Sequence, residues 1–131
     1  MTLLEIKNCL LNIIAHDNEW FGIARIDANR EKAICIYRRA KAAENNIAVG
    51  GMDATGYKRI PLNLLIRWTS NADTAERKAM EIHEQLINTS FFYNGQKCFV
   101  QTVYSSAIAL GADEKDIFEY SVDFEIIIES N

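Results

Sequence analysis

The clearest alternation of apolar and polar residues in the chain runs from residue 117 to residue 129. The apolar set comprises Phe118, Tyr120, Val122, Phe124, Ile126 and Ile128, and the intervening set is mostly acidic. A repeat of two residues is typical of a strand with one buried face and one polar face. This stretch, about 13 residues, exceeds the usual strand length of about five or six. The pattern therefore predicts a long strand that is buried on its apolar side.

Residues 60–68 show the same alternation, with every second position apolar. Pro61 has no N–H to donate to a neighbouring strand, so it indicates a strand beginning or a sheet edge. Residues 32–37 carry β-branched Ile34 and Ile36 and predict a further strand. The chain thus holds at least three strand segments.

Residues 91–93 and 97–100 flank the pair Asn94-Gly95. Asn-Gly between two apolar segments is the strongest short-range signal for a β-hairpin, because both residues tolerate positive φ angles. The sequence therefore predicts an antiparallel hairpin, with its second arm extending toward residue 104.

Two segments repeat their apolar residues near the helical period of 3.6. The first begins at Thr2 and Glu5, which match a capping box, and ends near residues 16–18. The second runs from about residue 71 to residue 87, with Asp73 and Glu76 in its first turns. Acidic residues there suit the positive end of the helix dipole. Both segments predict helices with one apolar face.

The element order is α-β-β-α-β-β, which predicts an α+β fold with a mostly antiparallel sheet and two main helices packed on one face. A length of 131 residues fits one domain spanning residues 1–131. Residues 38–59 predict a long flexible connection, since they contain Gly50-Gly51 and several charges. Residues 105–116 predict a loop that turns at Gly111.

A net charge of −4 and a pI of about 5.2 argue against a dedicated nucleic-acid binder, which usually has a basic surface. An acidic channel wall would still let DNA slide past, because it repels phosphate. The N-terminal residues lack the features of a signal peptide, and no apolar run reaches the roughly 20 residues that span a bilayer. We therefore expect a cytoplasmic protein without membrane contact.

The sequence offers no catalytic residues, no metal ligands and no cofactor site. Its two histidines, His16 and His83, belong to no metal-binding spacing. Its three cysteines are odd in number and widely spaced, which favours buried thiols over disulfides or zinc. These observations predict a protein that is not an enzyme and needs no cofactor.

The carboxylates of the last strand are the one cluster that resembles a catalytic pair. Glu119, Asp123 and Glu125 share a face, and residues two apart on a strand are separated by roughly 7 Å. That spacing would suit a small hydrolase with paired carboxylates. A solvated or interface surface gives the same spacing, as do cross-strand pairs with Arg59 or Arg67. A solvated or interface surface is the preferred interpretation.

Three stretches of the second half carry a resemblance to a known family. They are residues 61–68 (PLNLLIRW), residues 74–76 with Ala79, and residues 110–114 (LGADE) leading through residues 117–119 (IFE). In these stretches the chain resembles the minor capsid or tail-terminator proteins of the head–tail module of long-tailed phages and prophages. The likeness covers about residues 60–129, roughly half the chain.

The resemblance implies a small α+β structural protein that has no enzyme activity. It implies that copies of the chain form a ring, typically a hexamer, that caps the tail tube and joins it to the head. The implied partners are the chain itself, the tail tube protein and a head-completion protein. DNA would pass through the channel without specific binding. The implied locations are the bacterial host cytoplasm during assembly and then the virion.

An assembly of this kind predicts an interface rich in charged residues. The candidate residues are Arg38, Arg39, Lys58, Arg59, Asp113, Glu114, Glu119, Asp123 and Glu125. Some of the last strand's carboxylates would line the channel or meet the basic members of a neighbouring copy; these carboxylates are Glu119, Asp123, Glu125 and Glu129. Alternative functions are a non-viral protein-interaction module, the hydrolase described above, or a nucleic-acid module on residues 38–59.

Overall fold

The computed structural model describes residues 1–14, 20–27, 29–39 and 57–129, and these contain two helices and seven strands. In chain order the elements are α1 (Leu3–Ile14), β1 (Phe21–Ile23), β2 (Ala33–Arg38), β3 (Tyr57–Arg67), α2 (Ala72–Leu86), β4 (Ser90–Tyr93), β5 (Gln96–Thr102), β6 (Ile108–Ala112) and β7 (Phe118–Glu129). The predicted α+β class is confirmed.

The strands form one sheet in the order β1-β2-β3-β7-β5-β4, and β6 also pairs with β7. All pairs are antiparallel except β1 with β2. One edge of β7 pairs with β3 along its whole length. The other edge is divided, since β5 pairs with residues 124–128 and β6 with residues 118–121. The two longest strands therefore lie side by side at the centre of the sheet.

The hydrophobic core lies between both helices and one face of the sheet. Its fully buried members include Ile6, Leu10 and Ile14 of α1, Ala75, Ala79, Ile82 and Leu86 of α2, Leu62, Leu64 and Ile66 of β3, and Phe124 and Ile126 of β7. The strand members are the alternate positions that the sequence pattern assigned to the buried side. Both helices therefore pack on one face, as predicted.

Local sequence signals set the ends of the helices and of the hairpin. The Thr2 N–H donates to Glu5 Oε1 at 2.8 Å, and the Glu5 N–H donates to Thr2 Oγ1 at 3.2 Å, which confirms the capping box. Asn71 caps α2 by accepting a hydrogen bond from the Thr74 N–H. Asn94 and Gly95 have φ angles of 50° and 77°, so the predicted hairpin forms between β4 and β5.

The structure corrects two predicted loops. The loop predicted at residues 105–116 contains β6, whose sequence IALGA shows no sustained alternation of apolar and polar residues that would signal a strand. The connection predicted at residues 38–59 is too long, because Arg38 ends β2 and Tyr57 begins β3. Residues 40–56 of that connection lie outside the described residues. The strand β1 was also absent from the predicted order, since three residues carry almost no periodic signal.

Phe124→Ala should lower the free energy of unfolding by about 3–5 kcal/mol, because Phe124 is completely buried and its truncation leaves a cavity. The matched control is Phe92→Ala on β4, where the ring is 72% exposed and the loss should stay below about 0.5 kcal/mol. Urea unfolding of both variants measures the difference. Equal losses would mean that the assigned faces of the sheet are wrong.

Candidate functional site

The face of the sheet opposite the helices, here called the polar face, carries four of the nine predicted site residues. In β3 it consists of Arg59, Pro61, Asn63, Leu65 and Arg67, and in β7 of Glu119, Ser121, Asp123, Glu125 and Ile127. The strand register places Pro61 opposite Glu125, Asn63 opposite Asp123, and Arg67 opposite Glu119. Basic and acidic side chains are therefore interleaved on this face.

Glu125 lies at the centre of a cluster with two arginines. Its Oε2 is 2.9 Å from Arg59 Nη1, and its Oε1 is 3.6 Å from Arg39 Nη2. The hydrogen bond with Glu125 raises the pKa of the Arg59 guanidinium. Only 4% of Glu125 is exposed, so the interpretation of this residue as solvated surface is wrong. The cross-strand pair with Arg59, which was the less favoured alternative, is present instead.

Arg39 also fixes this cluster to the backbone. Its Nε donates to the carbonyl oxygen of Leu62 at 3.0 Å, and its Nη2 donates to that of Phe124 at 3.2 Å. The guanidinium therefore reaches from the end of β2 across β3 to β7. Because a guanidinium presents five donors in a planar fork, one Arg39 side chain can join three strands in this way.

Asn63 organises the next part of the polar face. Its Nδ2 donates to Asp123 Oδ1 at 2.7 Å and to Ser121 Oγ, so one side chain of β3 holds two side chains of β7. Asp123 is thus engaged within the subunit.

Arg67 pairs with an acidic residue that lies outside the central strands. Its Nη2 is 2.8 Å from Asp113 Oδ2, and only 3% of the Arg67 side chain is exposed. Asp113 Oδ1 accepts hydrogen bonds from the backbone N–H groups of Ile117 and Lys115. The hydrogen bond from Ile117 is the main cause of the lowered Asp113 pKa, with the Lys115 N–H and the charge of Arg67 adding to it. Asp113 therefore fixes the turn between β6 and β7.

The nine predicted interface residues fall into two groups. Arg39, Arg59, Asp113, Asp123 and Glu125 are bonded to other parts of the same subunit. Arg38 is exposed but also bonded within the subunit, since it donates to the carbonyl oxygen of Met1. The others are Lys58 and Glu114, which are exposed, and Glu119, which is half-buried. Contact of any of the nine with a second copy stays a prediction.

The histidine and cysteine side chains of the described residues take part in packing and hydrogen bonding within the subunit. His83 is buried, and its Nε2 lies 3.0 Å from the carbonyl oxygen of Tyr104, which ties α2 to the segment before β6. Cys35 and Cys98 are buried, which raises the pKa of both thiols. Cys9 is only half-buried. His16 lies outside the described residues.

Across residues 1–14, 20–27, 29–39 and 57–129, no three His, Cys, Asp or Glu side chains are grouped so that they could hold a metal ion. Neither described helix is long and apolar enough to cross a membrane.

The structure also contains an exposed apolar surface that the sequence pattern did not predict. It consists of the exposed side chains Val103, Tyr104, Ile108 and Leu110, on β6 and the segment before it. One signal was present in the sequence, because residues 103–112 contain no charged residue in a chain that is 24% charged. We call this surface the β6 edge.

Glu125→Ala should lower the free energy of unfolding by about 1–3 kcal/mol, because it leaves two guanidinium groups without their shared carboxylate. Glu114→Ala removes an exposed carboxylate and should change stability by less than about 0.5 kcal/mol. Thermal and urea unfolding provide the comparison. If Glu125→Ala were as stable as Glu114→Ala, the buried cluster would contribute nothing to the fold.

Asp113→Asn should destabilise the protein at neutral pH and lose this effect in acid. The Asp113 pKa is lowered by folding, so its charge adds stability above the ordinary aspartate pKa of about 3.9. That stability disappears as the pH falls through the lowered pKa. Urea midpoints of wild type and variant between pH 7 and pH 2 should therefore converge at the acidic end. A constant difference would exclude Asp113 as the titrating group.

Comparison with known proteins identifies the family. The sequence matches no curated protein. A family model described as bacteriophage tail terminator protein matches residues 12–130, which include all seven described strands and α2. The matched region therefore contains the polar face and the β6 edge. The chain belongs to the bacteriophage tail terminator protein family, whose members are structural proteins of the phage tail.

Proposed function

We propose that this protein forms a ring that closes the head-proximal end of a phage tail tube and joins the tail to the head. The observation that carries the proposal is the match of residues 12–130 to the tail terminator family. A tail terminator must cover the last ring of subunits in the tail tube. A ring of identical terminator subunits can do so by repeating a single type of contact. A hexamer is the ring size that the resemblance implies.

The fold suits a rigid ring subunit. Pairing between β3 and β7 extends over eleven residue pairs, and the polar face adds ion pairs and hydrogen bonds across the same strands. A rigid sheet keeps its edges at fixed angles, and fixed angles decide whether head-to-tail contacts close into a ring or continue as a filament. The ring's two faces would contact the tail tube protein on one side and a head-completion protein on the other.

The charge of the protein is compatible with a passage for DNA. Each subunit carries a net charge of −4, and a ring multiplies that charge around its channel. Negative potential repels the phosphate backbone, so DNA would pass without specific binding. The protein would act in the host cytoplasm during assembly and remain in the virion.

The contacts on the polar face argue against the alternative that this protein is a hydrolase. Glu125 is ion-paired with Arg59, and Asp123 accepts a hydrogen bond from Asn63. A general acid or base must be free to exchange a proton with a substrate, whereas these carboxylates are engaged within the subunit. The structural role of the family points the same way.

The purified chain should assemble into a ring of about six subunits, either alone or on tail tubes of the same phage. Light scattering gives the mass, and negative-stain electron microscopy gives the symmetry. Adding the chain to polymerising tube protein should stop elongation and leave shorter tubes with one capped end. The same amount of heat-unfolded chain is the control. Unchanged tube lengths together with a monomeric chain would contradict the proposal.

A further inference from the structure

We propose that neighbouring subunits of the ring join by strand addition, with the β6 edge of one copy pairing in antiparallel fashion with the β1 edge of the next. This inference rests on the proposed ring and names the surfaces that would form it. The occupant of the β6 edge is therefore a second copy of this chain.

The strand β6 is exposed along its whole length. All five of its residues are exposed, and its only described neighbour is β7. A β-bulge between Ala109 and Gly111 leaves Leu110 outside the pairing register, and Gly111 adopts a φ of 94° there. The extra residue of a bulge does not pair with the opposite strand. Leu110 therefore has no partner residue on β7.

The strand β6 contains neither charged residues nor proline. Soluble proteins usually protect a sheet edge with Lys, Pro, a β-bulge or inward-pointing charges, because an unprotected edge pairs with other chains. Residues 103–112 contain no charge, and the only proline of the chain is Pro61 in β3. Besides its bulge, β6 has none of these protections, and its side chains Ile108 and Leu110 face outward. A strand of this kind is suited to pairing between chains.

A ring needs a second, different surface, because only head-to-tail contacts between unlike surfaces generate rings of more than two subunits. The strand β1 provides it at the far end of the sheet. Within the described residues β1 pairs only with β2, it carries no charge, and Ile23 is 37% exposed. Two uncharged edges, one on each side of the central β3–β7 pair, fit such a contact.

Strand directions determine how the two edges would meet. The strand β1 is parallel to β2, and β2 and β7 are both antiparallel to β3, so β1 and β7 run in the same direction. The strand β6 is antiparallel to β7 and therefore runs opposite to β1. Rotation about an axis along the strands preserves these directions. The β6 edge would consequently meet a neighbour's β1 in antiparallel orientation, which is the slightly more stable pairing.

The first test is Leu110→Lys, which places a charge on the β6 edge. The control is Met80→Lys on α2, because Met80 and Leu110 are 53% and 54% exposed. Both variants should unfold at the wild-type temperature. Mass photometry across a concentration series should show rings for wild type and Met80→Lys, and loss of the ring for Leu110→Lys.

The outcomes of this experiment distinguish the proposed β6 contact from the proposed ring. A ring formed equally well by Leu110→Lys and wild type would overturn the β6 contact and leave the ring itself established. Loss of the ring in both lysine variants would also overturn the assignment to β6. A wild-type chain that stays monomeric even on tail tubes would overturn the ring and the contact together.

A second test identifies the partner surface by disulfide trapping. Oxidation of assembled Leu110→Cys, Ile23→Cys double variant should produce a ladder of covalent oligomers up to the full ring. The pair Met80→Cys, Ile23→Cys is the control and should produce no ladder. Dimers formed by Leu110→Cys alone would instead indicate contact between two β6 strands and overturn the proposal. A ring that yields no ladder from the first pair would also overturn it.

Discussion

The antiparallel pairing of β3 with β7 is the constraint on which the rest of the structure depends. It joins residues 57–67 to residues 119–129 without interruption and places two apolar rows side by side beneath the helices. On one side β2 extends the sheet from β3, and on the other β5 and β6 share the free edge of β7. The core, the polar face and the β6 edge all take their positions from this one pairing.

The pairing of β3 with β7 also brings the charges of the polar face together within one subunit. The polar face therefore need not be the main contact between subunits of the proposed ring. Glu125 is ion-paired with Arg39 and Arg59, and Asp123 is hydrogen-bonded to Asn63. Charges already paired within a subunit gain little from a second partner, and exposed ion pairs contribute only about 0–1 kcal/mol each. The β6 edge is uncharged and apolar, and among the described residues its strand pairs only with β7. Assembly through an edge would leave the polar face free for the channel or the tail.

Local patterns in the sequence were sufficient for much of the fold. Alternation over residues 117–129 and 60–68 predicted β7 and β3, Asn94-Gly95 predicted the hairpin, and Thr2 with Glu5 predicted the start of α1. Each of these signals depends on residues a few positions apart. The resemblance in residues 60–129 predicted the family, and a match over residues 12–130 confirmed it. Short strands with exposed residues, such as β1 and β6, carry no such signal.

By itself the sequence determined which residues face the core, where the long strands and helices lie, and which family the chain belongs to. Only the tertiary structure decided which charges meet. Glu125 and Arg59 are 66 residues apart in the chain, and Arg39 is further still, yet strand pairing brings all three together and buries the carboxylate. The alternation pattern could not distinguish a solvated carboxylate from a buried, ion-paired one. A repeat of two residues predicts the face of the sheet on which a residue lies. Whether that residue is buried depends on which side chains, distant in the sequence, pack against it.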